Sequence, residues 1–340
     1  MDSKNSKEDS KSTFSPEGKA SREHVSVLLD ECLDALNIRP GLTYVDATVG
    51  AGGHLQAIRE RMGPTGRLIG IDKDKASLDK VAARLPDAAS YIHGDYSDIG
   101  EHLESLGIST VDGGILADIG VSSMQLDNPE RGFSFLKDGP LDMRMDHTQK
   151  LSAATIVNEY QEREIADIIY RYGEERLSRQ IARRIVSKRP IHTTAELSEI
   201  VAGCIYTARG TRGHNKNRSK SRSDRLDDSH PATRTFQALR IAVNTELASL
   251  EKFLHESVKI LAPGARLAVI SFHSLEDRIV KQILKLYEKG CVCPPRQPVC
   301  TCGKDPKLLI MTSKPVTASE KEVLANIRSR SAKLRVGERI

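Results

Sequence analysis

Tryptophan is absent from this chain of 340 residues, and aromatic residues make up only 4% of it. So low an aromatic content argues against a large ring-lined groove for sugars or peptides. The six cysteines are too few for a disulfide scaffold, which favours a reducing compartment. No stretch of about 18 apolar residues could cross a membrane, and residues 1–20 lack the apolar core of a secretory signal. These absences predict a cytoplasmic protein with no membrane partner.

Positive charge is concentrated in one segment. The net charge is +5, and residues 206–225 alone contain seven Lys or Arg residues and one acid, Asp224. The rest of this segment is rich in Gly, Ser and Asn, so it cannot bury enough apolar surface to offset the entropy lost on ordering. We predict a disordered basic loop at 207–229, which could bind RNA or be a solvated insertion. The polar residues 1–20 are predicted to be a disordered tail.

The sequence between this tail and residue 120 alternates between strand and helix patterns. Short apolar runs predict strands at 42–48, 67–72, 89–94 and 111–119. Helical spacing at 25–36, 54–62 and 74–85 lies before and between them. Such alternation predicts βαβ units and a parallel sheet, and therefore an α/β fold.

The alternation stops after residue 120 and resumes late in the chain. Helices are predicted at 153–172, 174–187, 194–205 and 235–261, the last with a break near Ala248. A strand at 265–272, a helix at 275–288 capped by Ser274, a strand at 307–313 and a helix at 319–330 follow. We therefore predict an α/β domain in two parts, 21–120 and 235–340, with a helical domain inserted at 121–234.

A glycine-rich turn follows the first predicted strand, in the segment DATVGAGGH at 46–54. Glycines allow such a turn to approach a ligand closely, and Asp72 ends the next strand, where a ribose-binding acid belongs. A dinucleotide fingerprint needs a third glycine where Leu55 stands, so a pyrophosphate has no cradle. This pattern favours S-adenosylmethionine over a nicotinamide dinucleotide, although a nicotinamide-dependent reductase stays an alternative.

Four predicted strands end in an acid: Asp46, Asp72, Asp95 and Asp118. Ligands of open α/β sheets collect at the carboxyl ends of the strands, so we expect these acids to line one crevice. The alternative for each is an aspartate that caps the following helix or turn.

Long motifs at eight places carry a resemblance to a known family. They lie at 24–31, 46–54, 117–123, 125–127, 130–135, 138–146, 230–240 and 271–278, and the resemblance covers residues 24 to about 335. The chain resembles the ribosomal small-subunit RNA (cytosine-N4)-methyltransferases of the MraW/RsmH family. This resemblance implies a class I (Rossmann-like) methyltransferase fold with an inserted helical substrate domain. It also implies methyl transfer from S-adenosylmethionine to N4 of a cytosine in the decoding region of 16S rRNA, in the small ribosomal subunit.

The resemblance also assigns cofactor contacts by motif. They are Gly52, Gly53, His54, Asp72, Tyr96, Asp118 and Gln125. The family often has Phe where Tyr96 stands, and either ring can stack. The basic stretch before His230 is longer here than is usual in the family.

The acceptor of the implied reaction is an exocyclic amine, which must be aligned with the methyl group and lose a proton. Asp118 is the candidate for a catalytic residue, and a cofactor role is favoured for it. The Pro-Pro-aromatic sequence that other amino-methyltransferases carry after this position is replaced by Ile119, Gly120 and Val121.

Candidates for the RNA side are polar residues of the later motifs. They are Asp142, Arg144, Arg234, Arg240, Ser271 and His273. Arginine can contact phosphate or stack on a base, and the target base must leave its stack. The alternative for Arg234 and Arg240 is a salt bridge on a helix, and for His273 a structural hydrogen bond.

Four of the six cysteines lie close together, at Cys291, Cys293, Cys300 and Cys302. In a cytosolic protein such a cluster indicates a zinc site with four thiolate ligands. The C-x-C spacing is unusual for such a site, so a reduced loop and disulfides stay alternatives. Outside this cluster, Cys32 and Cys204 fit core positions. A further alternative for the whole chain is an RNA-binding scaffold with a methyltransferase fold and no turnover.

Overall fold

The computed structural model describes residues 26–212, 230–291, 293, 294, 297, 299 and 301–340. A seven-stranded sheet has the order β3-β2-β1-β4-β5-β7-β6. The strands are β1 (Thr43–Asp46), β2 (Arg67–Asp72), β3 (Ser90–His93), β4 (Gly114–Asp118), β5 (Arg266–Ser271), β6 (Leu308–Ile310) and β7 (Lys333–Arg339). The predicted tail at 1–20 and residues 213–229 of the predicted basic loop lie outside the described residues.

The pairing of the strands defines the fold class. Strands β1 to β5 pair in parallel, whereas β7 pairs antiparallel with both β5 and β6. The strand order turns at β1 and β4, so a crevice opens at their carboxyl ends. The predicted Rossmann-like α/β class is confirmed.

Helices cover both faces of the sheet and build the segment between β4 and β5. They are α1 (Leu29–Leu36), α2 (Gly53–Met62), α3 (Lys75–Arg84), α4 (Ile99–Ser105), α5 (Ser123–Asp127), α6 (Ala153–Glu159), α7 (Glu162–Gly173), α8 (Ser178–Ser187), α9 (Thr194–Arg212), α10 (Thr233–Asn244), α11 (Glu246–Ile260), α12 (Ser274–Lys289) and α13 (Glu320–Ala325). Among all the residues that the structure describes, no helix is both long and apolar enough to cross a membrane.

Two predicted helices are interrupted. The helix predicted at 153–172 is divided into α6 and α7, where Gln161 starts a new helix with a capping box. The helix predicted at 235–261 is divided at Thr245, whose φ of 53° is left-handed, three residues before the predicted break near Ala248. The side chain of Glu246 is drawn inward to Arg240 directly after this break.

Three other predictions of local structure were wrong. The cap of α12 is His273 and not Ser274, because the His273 ring accepts from Glu276 N and Glu276 accepts from His273 N. The helix predicted at 319–330 is the short α13 followed by a 3-10 turn. The helix α9 continues to Arg212, into the segment predicted to be a disordered loop. The sequence reasoning also missed β7.

Three buried clusters make up the core. One packs α4, α11 and α12 on one face of the sheet, and a second packs α1, α2 and α3 on the other. The third joins α6 to α10 and excludes the sheet; it includes Phe236, Leu239 and Val243 of α10. The segment between β4 and β5 therefore has a hydrophobic core of its own, and its limits as a domain stay a prediction.

Candidate cofactor crevice

The turn from β1 into α2 forms the floor of the crevice. Gly50 and Gly52 have φ values of 53° and 83°, and Gly52 N donates to Val49 O (2.7 Å). A Cβ on Gly52 would lie 2.7 Å from Cγ1 of Val81, and one on Gly53 would clash with the Ser26 hydroxyl. The left-handed φ of Gly52 and its contact with α3 exclude a side chain there, but Gly52 does not line the crevice. Gly50 and Gly53 do line it.

Asp72, at the end of β2, holds this turn in place. Its Oδ2 accepts from Gly50 N (2.7 Å) and its Oδ1 accepts from Asp74 N (2.7 Å). Burial raises the pKa of Asp72 to about 6, although the two backbone hydrogen bonds lower it. Each carboxylate oxygen keeps a further lone pair for a ligand hydroxyl.

Asp118 and Asp46 end the two strands at the middle of the crevice. Burial raises the pKa of Asp118 to about 8, and the nearby charges of Asp46 and Glu276 add to it. Burial also raises the pKa of Asp46 to about 7. Asp118 Oδ1 and Asp46 Oδ2 are buried without a hydrogen-bond partner, and His54 Nε2 lies 3.7 Å from Asp118 Oδ2. Among the described residues, His54 is the possible cation recorded beside Asp118, and burial favours the protonated, neutral form of both carboxyl groups.

The four acids at the strand ends do not all reach the crevice. Asp72, Asp95 and Asp118 line it, whereas Asp46 lies behind its surface and is 1% exposed. Asp95 is held by Lys73 Nζ (2.9 Å).

Tyr96 stands beside Asp95 and also lines the crevice. Its ring packs edge-on against Phe253, with a centroid distance of 5.1 Å. Its hydroxyl donates to the backbone O of Glu246 (3.5 Å). Phe253 and the Glu246 carbonyl thus hold the Tyr96 ring in place, and this ring forms part of the side wall of the crevice.

Gln125 lies in the wall opposite. Its amide donates to Asp74 Oδ2 (2.9 Å) and accepts from Ser122 N (2.9 Å). The same Asp74 oxygen accepts from Arg131 (2.7 Å) and so joins the inserted segment to the start of α3. Sequence reasoning missed both Asp74 and Arg131. Asp74 had a local signal, because it stands at the N-cap of a predicted helix.

Most of the predicted RNA-side residues are engaged within the protein. Arg144 forms a bidentate salt bridge with Asp142, with Nε 2.8 Å from Oδ1 and Nη2 2.7 Å from Oδ2. Neither residue lines the crevice. Arg240 makes a similar pair with Glu246 (2.8 and 2.7 Å). Arg234 is the exposed member of the predicted set, near the start of α10.

Ser271 and His273 bracket a residue that sequence reasoning missed. Ser271 is buried and donates to Lys333 O (3.5 Å), and His273 caps α12 with Nε2 3.0 Å from Glu276 Oε1. Phe272 between them lines the crevice, and a Cβ on Gly120 would lie 3.4 Å from its ring. Phe272 and Asp118 therefore line the same crevice, so an aromatic ring is present there although residues 119–121 include no aromatic residue.

The cysteine cluster lies in the connection from α12 to β6. Cys291, Cys293 and Cys302 lie together there, and Cys300 lies outside the described residues. Cys32 and Cys204 are buried, as their apolar surroundings predict.

The sheet and its crevice together define a Rossmann-like enzyme for a cofactor that needs a close glycine turn and acidic strand ends but no pyrophosphate cradle. Comparison with known proteins agrees with this class. The model of the MraW methylase family matches residues 21–340. The chain belongs to this family.

Named relatives cover almost the whole chain. A ribosomal RNA small subunit methyltransferase H from Symbiobacterium thermophilum is 49% identical, over 92% of this chain and 95% of the relative. Proteins of the same name from Brevibacillus brevis and Clostridium botulinum are each 48% identical, over 93% and 94% of this chain and 98% and 99% of their own. The protein is thus a methyltransferase that uses S-adenosylmethionine, and the alternatives of a scaffold without turnover and of a reductase have no support.

The crevice fits this cofactor on its own geometry. Asp118 Oδ1 is buried without a hydrogen-bond partner, and burial raises the pKa of this acid. A positively charged ligand beside it would stabilise the ionised carboxylate. S-adenosylmethionine carries positive charge on its sulfur and its amino group. In the turn, Gly50, Ala51 and Gly53 line the crevice, so its main chain is within reach of a ligand there.

Proposed function

We propose that this enzyme methylates N4 of a cytosine in the decoding region of 16S rRNA, within the small ribosomal subunit. The observation that carries the proposal is the identity of nearly one half, over nearly full length, to relatives named ribosomal RNA small subunit methyltransferase H. The choice of the cytosine and its N4 comes from the resemblance in the sequence motifs. The crevice supports the choice of an amine acceptor, as follows from its residues.

In this proposal the cofactor is held by Gly52, Gly53, His54, Asp72, Tyr96, Asp118 and Gln125. When bound, S-adenosylmethionine supplies an electrophilic methyl group on a cationic sulfur. Asp72 has lone pairs for the ribose hydroxyls, and Tyr96 offers its ring to the adenine. Gln125 acts from the wall, since its amide is bonded to Asp74 and Ser122. Burial raises the pKa of Asp118 to about 8 in the free site, and the positive charge of a bound cofactor would lower this pKa and favour the ionised carboxylate.

The acceptor base enters beside Asp118 and Phe272. A cytosine taken out of its stack can lie against the Phe272 ring, as flipped bases commonly do on aromatic side chains. The ionised Asp118 then accepts a hydrogen bond from the exocyclic amine, which orients the nitrogen lone pair toward the methyl group. Asp118 is thus the candidate catalytic residue. Phe272 takes the role of the aromatic residue that other amino-methyltransferases carry shortly after this position.

The RNA side of the proposal rests on Arg234. Its side chain is exposed on α10, whereas the side chains of Arg144 and Arg240 are only 25% and 16% exposed. An exposed guanidinium can bind a phosphate of the rRNA, and its contribution should weaken as salt is raised.

The test is methyl transfer from labelled S-adenosylmethionine to small ribosomal subunits that lack this modification, followed by nucleoside analysis. We expect label in N4-methylcytidine with the unaltered enzyme and with Asp79→Asn, because Asp79 is exposed on α3 and paired with Lys75. Label in another nucleoside would refute the N4 assignment. No label on any assembly stage of the subunit, from enzyme that binds the cofactor, would refute the rRNA substrate.

A further inference from the structure

The connection between α12 and β6 brings three thiols together away from the crevice. Ligand atoms of Cys291, Cys293 and Cys302 all lie within 4.8 Å of one another. The Sγ atoms of Cys291 and Cys302 are 3.7 Å apart. None of the three residues lines the crevice. The cluster is therefore separate from the cofactor site.

The separation of these sulfur atoms is that of two ligands on one tetrahedral metal ion. With a Zn–S bond of about 2.3 Å, tetrahedral angles place two ligand sulfurs about 3.8 Å apart. A disulfide would need about 2.05 Å. The observed 3.7 Å between Cys291 and Cys302, where one thiol donates to the other, fits the first value and excludes a disulfide.

A backbone amide supports one of the thiols as a ligand. Thr301 N donates to Cys293 Sγ (3.4 Å), and the Thr301 hydroxyl lies 3.9 Å from the same sulfur. Thr301 is oriented in turn by Gln297, whose Nε2 donates to its hydroxyl (2.8 Å). Such outer hydrogen bonds orient metal-ligating groups and are a regular part of metal sites.

The two ends of the segment that carries the cysteine cluster lie next to each other. Gly290 ends α12 with a φ of 65°, and a Cβ there would clash with the backbone of Asp305 and Pro306. Lys307 N donates to Tyr287 O (2.8 Å). The described residues between these points bury no apolar side chain, and Val299 is 71% exposed. A loop without an apolar core needs another source of cohesion, which a metal ion can provide.

A second group of possible ligand atoms shows by contrast what a metal site must avoid. Glu246, His273 and Glu276 also lie within 4.8 Å of one another. The guanidinium of Arg240 lies 2.7 Å from Glu246 and 3.8 Å from Glu276, so a cation is already built in. Within the described residues of the cysteine cluster no Lys, Arg or His takes such a place.

We propose that Cys291, Cys293 and Cys302 bind a structural zinc ion that closes the connection between α12 and β6. Cys300 lies outside the described residues. The ion has no part in methyl transfer. Its effect is to fix the loop against the end of α12, next to the edge strand β6.

The test compares metal content and thiolate spectroscopy in tag-free protein. Unaltered protein should contain about one zinc per chain, and Co²⁺ added to the metal-stripped protein should give intense thiolate-to-metal bands in the near ultraviolet. The double variant Cys291→Ser, Cys302→Ser should lose at least about tenfold in zinc content. Cys204→Ala is the matched control, because it removes a buried thiol outside the cluster and should leave zinc content unchanged.

Calorimetry of S-adenosylmethionine binding shows which samples are folded. Metal content is then compared only among those samples, so an unstable variant does not invalidate the test. Reconstituted unaltered protein with less than about one tenth of a zinc per chain would overturn the proposal. So would a double variant that keeps its zinc and its Co²⁺ bands. A zinc-free protein in which Cys291 and Cys302 form a disulfide would overturn it as well.

Discussion

Asp74 and Asp142 differ from Asp118 in whether an arginine of the protein supplies their counter-charge. Asp74 is paired with Arg131 and Gln125, and Asp142 with Arg144. Burial opposes ionisation of Asp74, but the hydrogen bonds from Gln125 and Arg131 outweigh it and lower its pKa. Among the described residues, Asp118 has no arginine partner, only His54 with Nε2 at 3.7 Å, and burial raises its pKa to about 8. The acids paired with arginine are thus neutralised within the protein, whereas Asp118 can accept a cationic ligand.

Removing the arginine from the paired group should have the largest effect. Arg131→Met leaves Asp74 buried without its cation, which costs about 3–5 kcal/mol of unfolding free energy for a broken buried pair. Denaturant unfolding without cofactor measures it. Arg61→Met is the control, because the pair of Arg61 with Asp34 is exposed and should contribute at most about 1 kcal/mol. Equal losses in the two variants would show that the contrast between buried and exposed pairs does not hold here.

Neutralising the unpaired acid should reverse this pattern, since function is lost while stability is kept. Asp118→Asn should lower kcat/KM by about 100- to 1,000-fold, the range found when one group that stabilises a transition state is removed. Its unfolding free energy at pH 8 should be equal to or above that of the unaltered protein, because a buried charge without a partner is gone. Asp79→Asn should change neither quantity. A variant that unfolds more readily and keeps its activity would assign Asp118 to the wall.

A third prediction concerns pH. The raised pKa of Asp118 means that the free site is protonated below about pH 8, and a cationic cofactor must displace this proton. Affinity for S-adenosylmethionine should therefore rise by up to about tenfold per pH unit toward pH 8 and then level off. Calorimetry in buffers of different ionisation enthalpy should detect a released proton. Asp118→Asn should bind more weakly and lose most of this pH dependence, and an unchanged slope would place the proton elsewhere.

The same acid also sets the direction in which pH changes the stability of the free protein. A pKa raised on folding stabilises the protein fully below the unfolded value of about 4, and this contribution is lost as pH rises through about 8. The cofactor-free protein should accordingly unfold more readily at pH 9 than at pH 6. Saturating S-adenosylmethionine should reduce the difference.

The strands that build the crevice could be predicted from the sequence because their signals are local. The runs ending in Asp46, Asp72 and Asp118 are continuous and apolar, as buried parallel strands are, and each is followed by a turn or helix signal. In contrast, β7 alternates charged and apolar residues and pairs antiparallel with β5, far from it in the sequence. This alternation is itself a strand pattern, and the sequence reasoning overlooked it in this short segment near the end of the chain.

The partners of the charged residues could not be predicted from the sequence. Arg240 reaches Glu246 across a helix break, and Arg131 reaches Asp74 from the inserted segment. A charge pattern shows that a residue is ionised but not which residue neutralises it. Phe272 was missed because it follows β5, whereas the acid it accompanies follows β4.

The position of β7 between β5 and β6 has a consequence for the newly made chain. Ribosomes deliver β6 before β7, yet the sheet offers β6 no neighbour other than β7. The backbone donors and acceptors of the edge strand therefore stay without a partner in the sheet until the later strand has been made. This end of the sheet can thus be completed only after the last strand has been translated.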